Sequence, residues 1–156
     1  MDFEAIVGKV GIYAASFVVG FVSGLVPFIN SELYLLFVST IAARSALLPI
    51  AALSAAGQMV AKSLLFYAGR GTIKIPIGRY ESKADAVRAK FERWEKRSDL
   101  LILLSATVGF PPFYVVSVVA GALKLGFPGF LIAGLFGRTV RFALVVYFPQ
   151  LVMRFA

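Results

Sequence analysis

Long apolar stretches with few polar interruptions run through most of this chain. They cover residues 10–26, 28–43, 46–69, 100–123 and 127–149. A helix needs about 20 residues to cross a hydrocarbon core of about 30 Å. The stretches 46–69 and 127–149 meet that length, and 10–26 just meets it with Lys9 at the headgroups. The pattern predicts an all-α integral membrane protein with three or more spanning helices, in which residues 1–156 form a single membrane domain.

The second apolar stretch opens with a polar break, "PFINSE", from Pro27 to Glu32. Only 11 residues, from Leu33 to Ala43, follow the break before Arg44, and they are too few to span a membrane. The break at Pro27 and Asn30 therefore joins a spanning helix to a short one that dips in and returns, or it joins two arms of a re-entrant hairpin. Irregular backbone at membrane depth is tolerated only where protein or a water-filled cavity covers it.

The stretch 100–123 carries a second break, at Pro111 and Pro112. Each proline lacks an N–H donor and clashes with the residue before it, so the pair should interrupt a helix. This predicts a second proline-broken, re-entrant hairpin. A kinked but complete span over the same residues is the alternative.

Two segments resemble each other without a gap, "GQMVAKSLLFY" at 57–67 and "GRTVRFALVVY" at 137–147. The shared residues are Gly57/Gly137, Val60/Val140, Leu64/Leu144 and Tyr67/Tyr147. Coincidence in an apolar chain is one explanation. The other is an internal repeat whose halves run in opposite directions, because the predicted topology turns 46–69 inward and 127–149 outward. Inverted repeats with interrupted helices are a transporter architecture.

Small residues indicate where helices contact each other. Ser16, Gly20 and Gly24 recur every four residues, a spacing that lets another helix approach closely. Gly134 and Gly137 have the same interpretation. We expect packing rather than chemistry at these positions.

Charge is concentrated between residues 70 and 97, which hold nine Lys and Arg against four Asp and Glu. Short loops rich in Lys and Arg stay on the cytoplasmic side, so 70–98 is predicted to be a basic cytoplasmic loop. Its second half repeats apolar side chains at helical spacing: Tyr80, Ala84, Val87, Phe91 and Trp94. This predicts an amphipathic helix with its apolar face in the headgroup region and its basic face against anionic headgroups. A solvated helix that only fixes orientation is the alternative, and no nucleic-acid partner is expected.

The same charge rule orients the rest of the chain. The N-terminus, Lys9 and Lys124 are predicted to be cytoplasmic, and Arg44 and Arg154 to lie outside. The N-terminus lacks the basic start of a signal peptide, so 10–26 is interpreted as a retained helix.

Four charged side chains lie in or beside the apolar stretches: Glu32, Lys62, Arg138 and Arg141. Each charge near the bilayer centre costs on the order of 2.5–3.5 kcal/mol on insertion scales, so these groups should pair or face water. Arg138 and Arg141 share a helix face, and so do Gln58 and Lys62. We expect these five residues to line a small polar chamber that binds substrate or an ion, with Glu32 opposite an arginine.

Each of these residues also has a purely structural interpretation. Asn30 or Ser31 caps the next helix, and Glu32 only favours its positive end. Arg138 and Arg141 each belong to a structural salt bridge with an acid or snorkel to an interface, and Lys62 and Lys124 snorkel. In the functional interpretation, Glu32 is a proton carrier or counter-ion and the guanidinium groups bind a lipid phosphate.

Composition narrows the chemistry. The chain is 60% hydrophobic and 15% charged, whereas globular chains are about 45–50% apolar and about 25% charged. It has neither Cys nor His. Disulfides, thiol nucleophiles, histidine metal sites and the usual general base are thereby excluded. We therefore expect a function that is not enzymatic, with no metal and no cofactor.

Two stretches, "FVSGLVPFINSELYLLF" and "FERWEKRSDLLILLSATVGFPPFYVVSVVAGALKLGFPGFLIAGLFGRTVRFAL", resemble the DedA superfamily of membrane proteins. These are also called VTT-domain or SNARE-associated proteins, and the resemblance is to their short YqaA-like branch. Its most specific parts are the Pro27 to Glu32 segment and the stretch from Ala120 to Arg141. The chain departs from longer members because "LLSATVGFPPFYVV" contains no arginine and a second acid near Glu32 is missing.

The resemblance implies two opposed re-entrant loops and movement of lipids across membranes, as in phospholipid scrambling or recycling of the undecaprenyl phosphate carrier. The predicted function is transport of a lipid or lipid phosphate, a phospholipid or polyprenyl phosphate, with proton coupling, in the plasma (inner) membrane of a prokaryote. The alternative is a non-catalytic membrane-organising subunit that binds anionic lipid or a partner protein. Because four helices and two loops are few for alternating access, a homo-oligomer is expected.

Overall fold

The computed structural model describes residues 3–26, 28–71 and 78–155, so Pro27 and residues 72–77 lie outside the described residues. Regular secondary structure within these ranges is helical, without strands. The helices are α1 (Phe3–Leu25), α2 (Ser31–Ile41), α3 (Arg44–Gly69), α4 (Gly78–Arg93), α5 (Ser98–Val108), α6 (Phe113–Ala122) and α7 (Phe127–Phe155), with a 3₁₀ turn at Glu95–Arg97. In the described chain α1, α3 and α7 are long and apolar enough to cross a membrane. The all-α class is confirmed, and three described helices have the length and apolar composition that a membrane span requires.

The chain divides into two compact units. The first comprises Met1–Gln58 and Thr139–Ala156, and the second comprises Met59–Arg138. The division falls inside α3 and α7, so each of these helices contributes a part to each unit. Each unit also has its own hydrophobic core, with Phe142 among the buried residues of the first and Phe66 among those of the second.

In the first unit, α1 and the beginning of α3 run side by side in the same direction. Ser54 Oγ donates a hydrogen bond to the Ser16 carbonyl at 3.2 Å. Further along both helices, Gln58 Nε2 donates to Ser23 Oγ, also at 3.2 Å. Because the bonded positions ascend together along the two helices, α1 and α3 are parallel.

Two glycines bring these parallel helices together. Gly20 lies against the backbone carbonyl of Ser54, and Gly57 lies against the backbone carbonyl of Phe17. A Cβ atom at either glycine would occupy the space of the neighbouring backbone. The small residues therefore permit a contact that a larger residue would prevent, and the packing role predicted for Gly20 is confirmed.

The short helix α2 returns along α1. Ser16 Oγ, in the middle of α1, lies 3.0 Å from the Tyr34 hydroxyl near the start of α2. Ile41, at the end of α2, lines a cavity of about 340 Å³ together with Lys9 near the start of α1. Contacts that ascend along one helix and descend along the other show that α1 and α2 are antiparallel.

The direction of α2 bears on the predicted positions of Lys9 and Arg44. Lys9 and Ser45 line the same cavity, so α3 begins at the end of the first unit where α1 begins. Parallel α1 and α3 therefore begin at one end of the first unit, which differs from the predicted arrangement with Lys9 inside and Arg44 outside. The side of the membrane on which this end lies stays a prediction. The prediction assumed that α1 crosses the membrane and that the short helix dips in and returns, whereas α2 runs back along α1 to the end where α1 begins.

In the second unit, the end of α3 runs parallel to α6. The Lys62 ammonium lies 5.8 Å from the centre of the Tyr114 ring, near the start of α6. Eight residues further on, directly after the end of α3, the Arg70 backbone nitrogen lies 3.1 Å from the position that a Cβ of Gly121 would occupy. The paired positions ascend together, so the two helices share a direction.

The beginning of α7 runs against α3 in the same unit. The ring centres of Phe66 and Phe130 are 4.7 Å apart, and those of Tyr67 and Phe127 are 5.1 Å apart. In these contacts, a higher residue number in α3 is paired with a lower residue number in α7. The two helices are therefore antiparallel.

Helix α5 follows the direction of α7. Gly129 packs against the carboxylate of Asp99, and Gly137 packs against Thr107 and the carbonyl of Leu103. Contacts that ascend along both helices make α5 parallel to α7 and therefore antiparallel to α6. The packing role predicted for Gly137 is confirmed.

The second proline break thus joins two helices of opposite direction. α5 ends at Gly109, whose φ of 86° lies in the left-handed region that favours glycine, and α6 begins after Pro112. Ser105 Oγ donates to the carbonyl of Pro111 at 2.5 Å and fixes the turn. The alternative of a kinked but complete span is wrong, because the chain reverses at the break. The depth of this hairpin in a membrane stays a prediction.

Helix α4 packs on α6 inside the second unit. Val87 and Phe91 are each 3% exposed and belong to the hydrophobic core, and Trp94 packs against it. Tyr80, the first residue of the predicted apolar face, has a side chain outside the part of the chain that the structure describes. The amphipathic helix is confirmed, but the prediction that its apolar face lies among lipid headgroups is wrong, because protein covers that face.

Candidate functional site

An ion pair joins two helices of the first unit. Asn30 caps α2, and its side-chain oxygen accepts the backbone N–H of Glu32 at 2.9 Å. This cap fixes the first turn, from which the Glu32 carboxylate accepts a hydrogen bond from Arg141 Nε at 2.5 Å. The side chains of Arg141 and Glu32 are 27% and 32% exposed. The predicted pairing of Glu32 with an arginine is confirmed, and so is the cap at Asn30.

A buried polar cluster lies beside the start of α2. Gln58 is 8% exposed, and its amide donates to Ser23 Oγ and, at 3.3 Å, to Ser31 Oγ. The Gln58 carbonyl oxygen accepts no hydrogen bond from any described residue. Ser31 immediately precedes Glu32, so the polar cluster and the ion pair occupy one part of the first unit.

This arrangement combines the Glu32–Arg141 ion pair with the Gln58 carbonyl oxygen, which accepts no hydrogen bond from the described residues. A guanidinium group has several donors in a planar fork and can bond a second acceptor besides its carboxylate partner. A buried amide oxygen without a partner is unfavourable by about 1–3 kcal/mol. The site is therefore suited to a ligand that brings both hydrogen-bond donors and an anionic group.

The second unit holds two of the predicted site residues close together. Lys62 is 5% exposed, and the Arg138 guanidinium carbon lies 4.8 Å from the centre of the Phe113 ring. Lys62 lies over the ring of Tyr114, and Arg138 lies over the ring of the neighbouring Phe113. The interpretation of Lys62 as a snorkelling residue is wrong, because protein encloses its side chain. The structure brings Glu32, Gln58 and Arg141 together in one unit and Lys62 with Arg138 in the other.

Sequence reasoning missed Ser23, which holds the Gln58 amide. A signal for it exists, because Ser16, Gly20 and Ser23 are spaced four and three apart and so lie on one face of α1. Of the predicted breaks, Asn30, Pro111 and Pro112 lie where the structure interrupts its helices, whereas Pro27 lies outside the described residues. Among those residues, no three acidic side chains lie close enough to hold a metal ion.

Comparison with known families decides the identity of the fold. The family model of the VTT domain matches residues 6–151, nearly the whole chain. The chain belongs to the VTT domain family. The matched region includes both helix–break–helix segments and every predicted site residue. A search of curated proteins and a search of solved structures each found no match.

Membership of the VTT domain family agrees with the physical character of the chain. VTT domains are membrane-associated, and three helices of this one are long and apolar enough to span. The protein is therefore a membrane protein, as predicted. The resemblance to the DedA superfamily is confirmed at the level of the VTT domain, and the YqaA-like branch stays a prediction.

Proposed function

We propose that this VTT domain protein moves a lipid or lipid phosphate across the bilayer without changing it chemically. The observation that carries the proposal is the partly exposed Glu32–Arg141 ion pair beside the buried amide of Gln58. An ionisable pair within apolar helices is a functional site by default, since an apolar alternative is cheaper to insert. The absence of Cys and His from the sequence favours transport over catalysis.

The ion pair supplies a means of coupling lipid movement to protons. The phosphate of a lipid headgroup and the Glu32 carboxylate are both acceptors that suit the Arg141 guanidinium. A proton on Glu32 removes the charge that holds Arg141, so the guanidinium can bind the phosphate. When the proton leaves, the carboxylate competes for Arg141 again and the phosphate is released.

The second unit supports an anionic substrate as well. Lys62 and Arg138 place two basic side chains against the rings of Tyr114 and Phe113. A guanidinium fork and an amine both suit phosphate oxygens. We therefore assign the same class of headgroup to both units.

The helix directions favour an inverted repeat. One triplet is α1, α2 and α3, in which the outer helices are parallel and the middle helix returns. The other is α5, α6 and α7, with the same relations, and α3 and α7 are antiparallel. We propose that the two hairpins are re-entrant and that the protein works as a homo-oligomer.

Flux measurements in liposomes test the proposal. Labelled phospholipid and polyprenyl phosphate are followed for the wild type, Glu32→Gln, Arg141→Gln and the double variant. We expect each variant to lose at least about tenfold in flux while eluting as folded protein. Arg154→Gln, which alters an exposed arginine outside the pair, is the control and should retain wild-type flux.

The double variant separates the two interpretations of the pair. If the ion pair is only structural, neutralising both partners removes the unpaired charge and restores flux, and that result would overturn the proposed role. A chemically modified lipid would instead indicate an enzyme. No lipid movement by the wild type would favour the organising subunit.

A further inference from the structure

A basic groove lies between the end of α4 and the start of α5. Its volume is about 440 Å³, and the described side chains that line it are Arg93, Trp94, Lys96 and Arg97. Three of these four residues are cationic. We infer that this groove, here named the interfacial groove, binds the phosphate of an anionic phospholipid headgroup from the cytoplasmic leaflet. The inference is independent of transport, because it concerns a surface outside the ion pair and outside the Lys62–Arg138 pair.

The backbone holds the groove in a defined shape. The Trp94 N–H donates to the carbonyls of Lys90 at 3.0 Å and Phe91 at 3.2 Å, which ends α4. The Arg97 N–H then donates to the Trp94 carbonyl at 2.6 Å and closes the 3₁₀ turn. Trp94 is also packed against the core of the second unit. The cationic side chains therefore project from a fixed turn around an anchored ring.

The chemistry of the lining suits a phosphate diester with an apolar attachment. Arginine offers its donors in a planar fork that matches phosphate oxygens, and lysine adds a compact charge. The indole of Trp94 combines an apolar body with a polar N–H, a combination that places tryptophan at membrane–water interfaces. Arg93, Lys96 and Arg97 provide three cationic groups for the oxygens of one phosphate.

The position of the groove favours a lipid over a dissolved anion. α5 begins at Ser98, directly after the groove. In its first two turns Leu100 and Leu104 are 46% and 41% exposed, so apolar side chains face outward there. A surface that changes from cationic to apolar within about two turns matches the boundary between headgroups and acyl chains. A headgroup in the groove would leave its tails beside these leucines.

Trp94 reports directly on the groove because it is the only tryptophan in the chain. The full-length protein in a neutral detergent is titrated with short-chain phosphatidylglycerol at fixed ionic strength, and Trp94 emission is recorded. We expect a saturable spectral change. Phosphatidylcholine of the same chain length and inorganic phosphate should each produce less than about a tenth of that change at equal concentration.

Matched charge variants complete the test. Lys96→Gln and Arg97→Gln should each raise the midpoint of the titration at least fivefold. Arg88→Gln removes an exposed charge of α4 outside the lining, and it should change the midpoint less than twofold. An equal response to inorganic phosphate or to phosphatidylcholine would overturn the inference, and so would an equal loss in Arg88→Gln, which indicates diffuse surface charge.

Discussion

At the scale of single residues, glycine determines how closely α1 and α3 approach. A methyl group at Gly57 would meet the backbone of Phe17, which cannot move without its helix. We expect Gly57→Ala to lower the free energy of unfolding by about 1–3 kcal/mol through overpacking. Thermal unfolding of the detergent-solubilised protein measures the change.

Gly11→Ala in the same bundle is the control for this substitution. Nothing lies within 4 Å of the position that its Cβ would occupy. Alanine should therefore leave stability unchanged or raise it by up to about 1 kcal/mol through helix propensity. If Gly57→Ala proves as stable as Gly11→Ala, the close parallel contact between α1 and α3 is absent from the folded protein.

The sequence could identify several of these residues but not their partners. The spacing of Gly20 predicted packing, since small residues four apart lie on one helix face. Its partner, the carbonyl of Ser54, depends on the direction of α3, which spacing does not encode. Likewise the isolated carboxylate of Glu32 predicted an arginine partner. Which arginine pairs with Glu32, Arg141 or Arg138, depends on the fold and cannot be derived from the sequence.

At the scale of elements, α4 belongs to the protein core rather than to the membrane surface. Phe91 is 3% exposed and lies in the core of the second unit. We expect Phe91→Ala to destabilise the protein by about 3–5 kcal/mol, the usual effect of truncating a buried phenylalanine. The loss of folded protein on heating in detergent measures this effect.

An exposed leucine of the neighbouring helix provides the comparison. Leu100 is 46% exposed in the second unit, so Leu100→Ala leaves no enclosed cavity and should change stability by less than about 1 kcal/mol. Equal effects of the two substitutions would place Phe91 against lipid instead of protein. They would restore the interpretation of α4 as a surface-bound helix.

The sequence predicted which elements exist better than it predicted how they pack. Pro111 and Pro112 indicated a break because their missing donors act locally. The apolar stripe through Val87 and Phe91 indicated a helix for the same reason, since period is a local property. Lipid and a protein core offer that stripe the same apolar surroundings. Its partner therefore could not be predicted from the pattern.

At the scale of the whole molecule, helix direction changes the topology that we expect. α3 has 26 residues and a length of about 39 Å, which exceeds a hydrocarbon core of about 30 Å. A helix of this length can place its two ends on opposite sides of a membrane. The charge rule predicts that residues 70–98 are cytoplasmic, so we expect Arg44 outside. Lys9 shares that end of the first unit, and the N-terminus is expected outside as well.

The revised topology still places most Lys and Arg residues on the cytoplasmic side, as the charge rule requires. Moving Lys9 outward leaves ten Lys and Arg inside, the nine of residues 70–97 and Lys124, against three outside. Because the chain has no cysteine, single cysteines at Lys9, Arg44 and Lys124 can be labelled one at a time in intact cells with an impermeant thiol reagent. We expect the first two to react and Lys124 to react only after permeabilisation. Protection of position 9 with reaction at position 44 would require antiparallel α1 and α3, and the packing of Gly20 against Ser54 would then have no place in the folded protein.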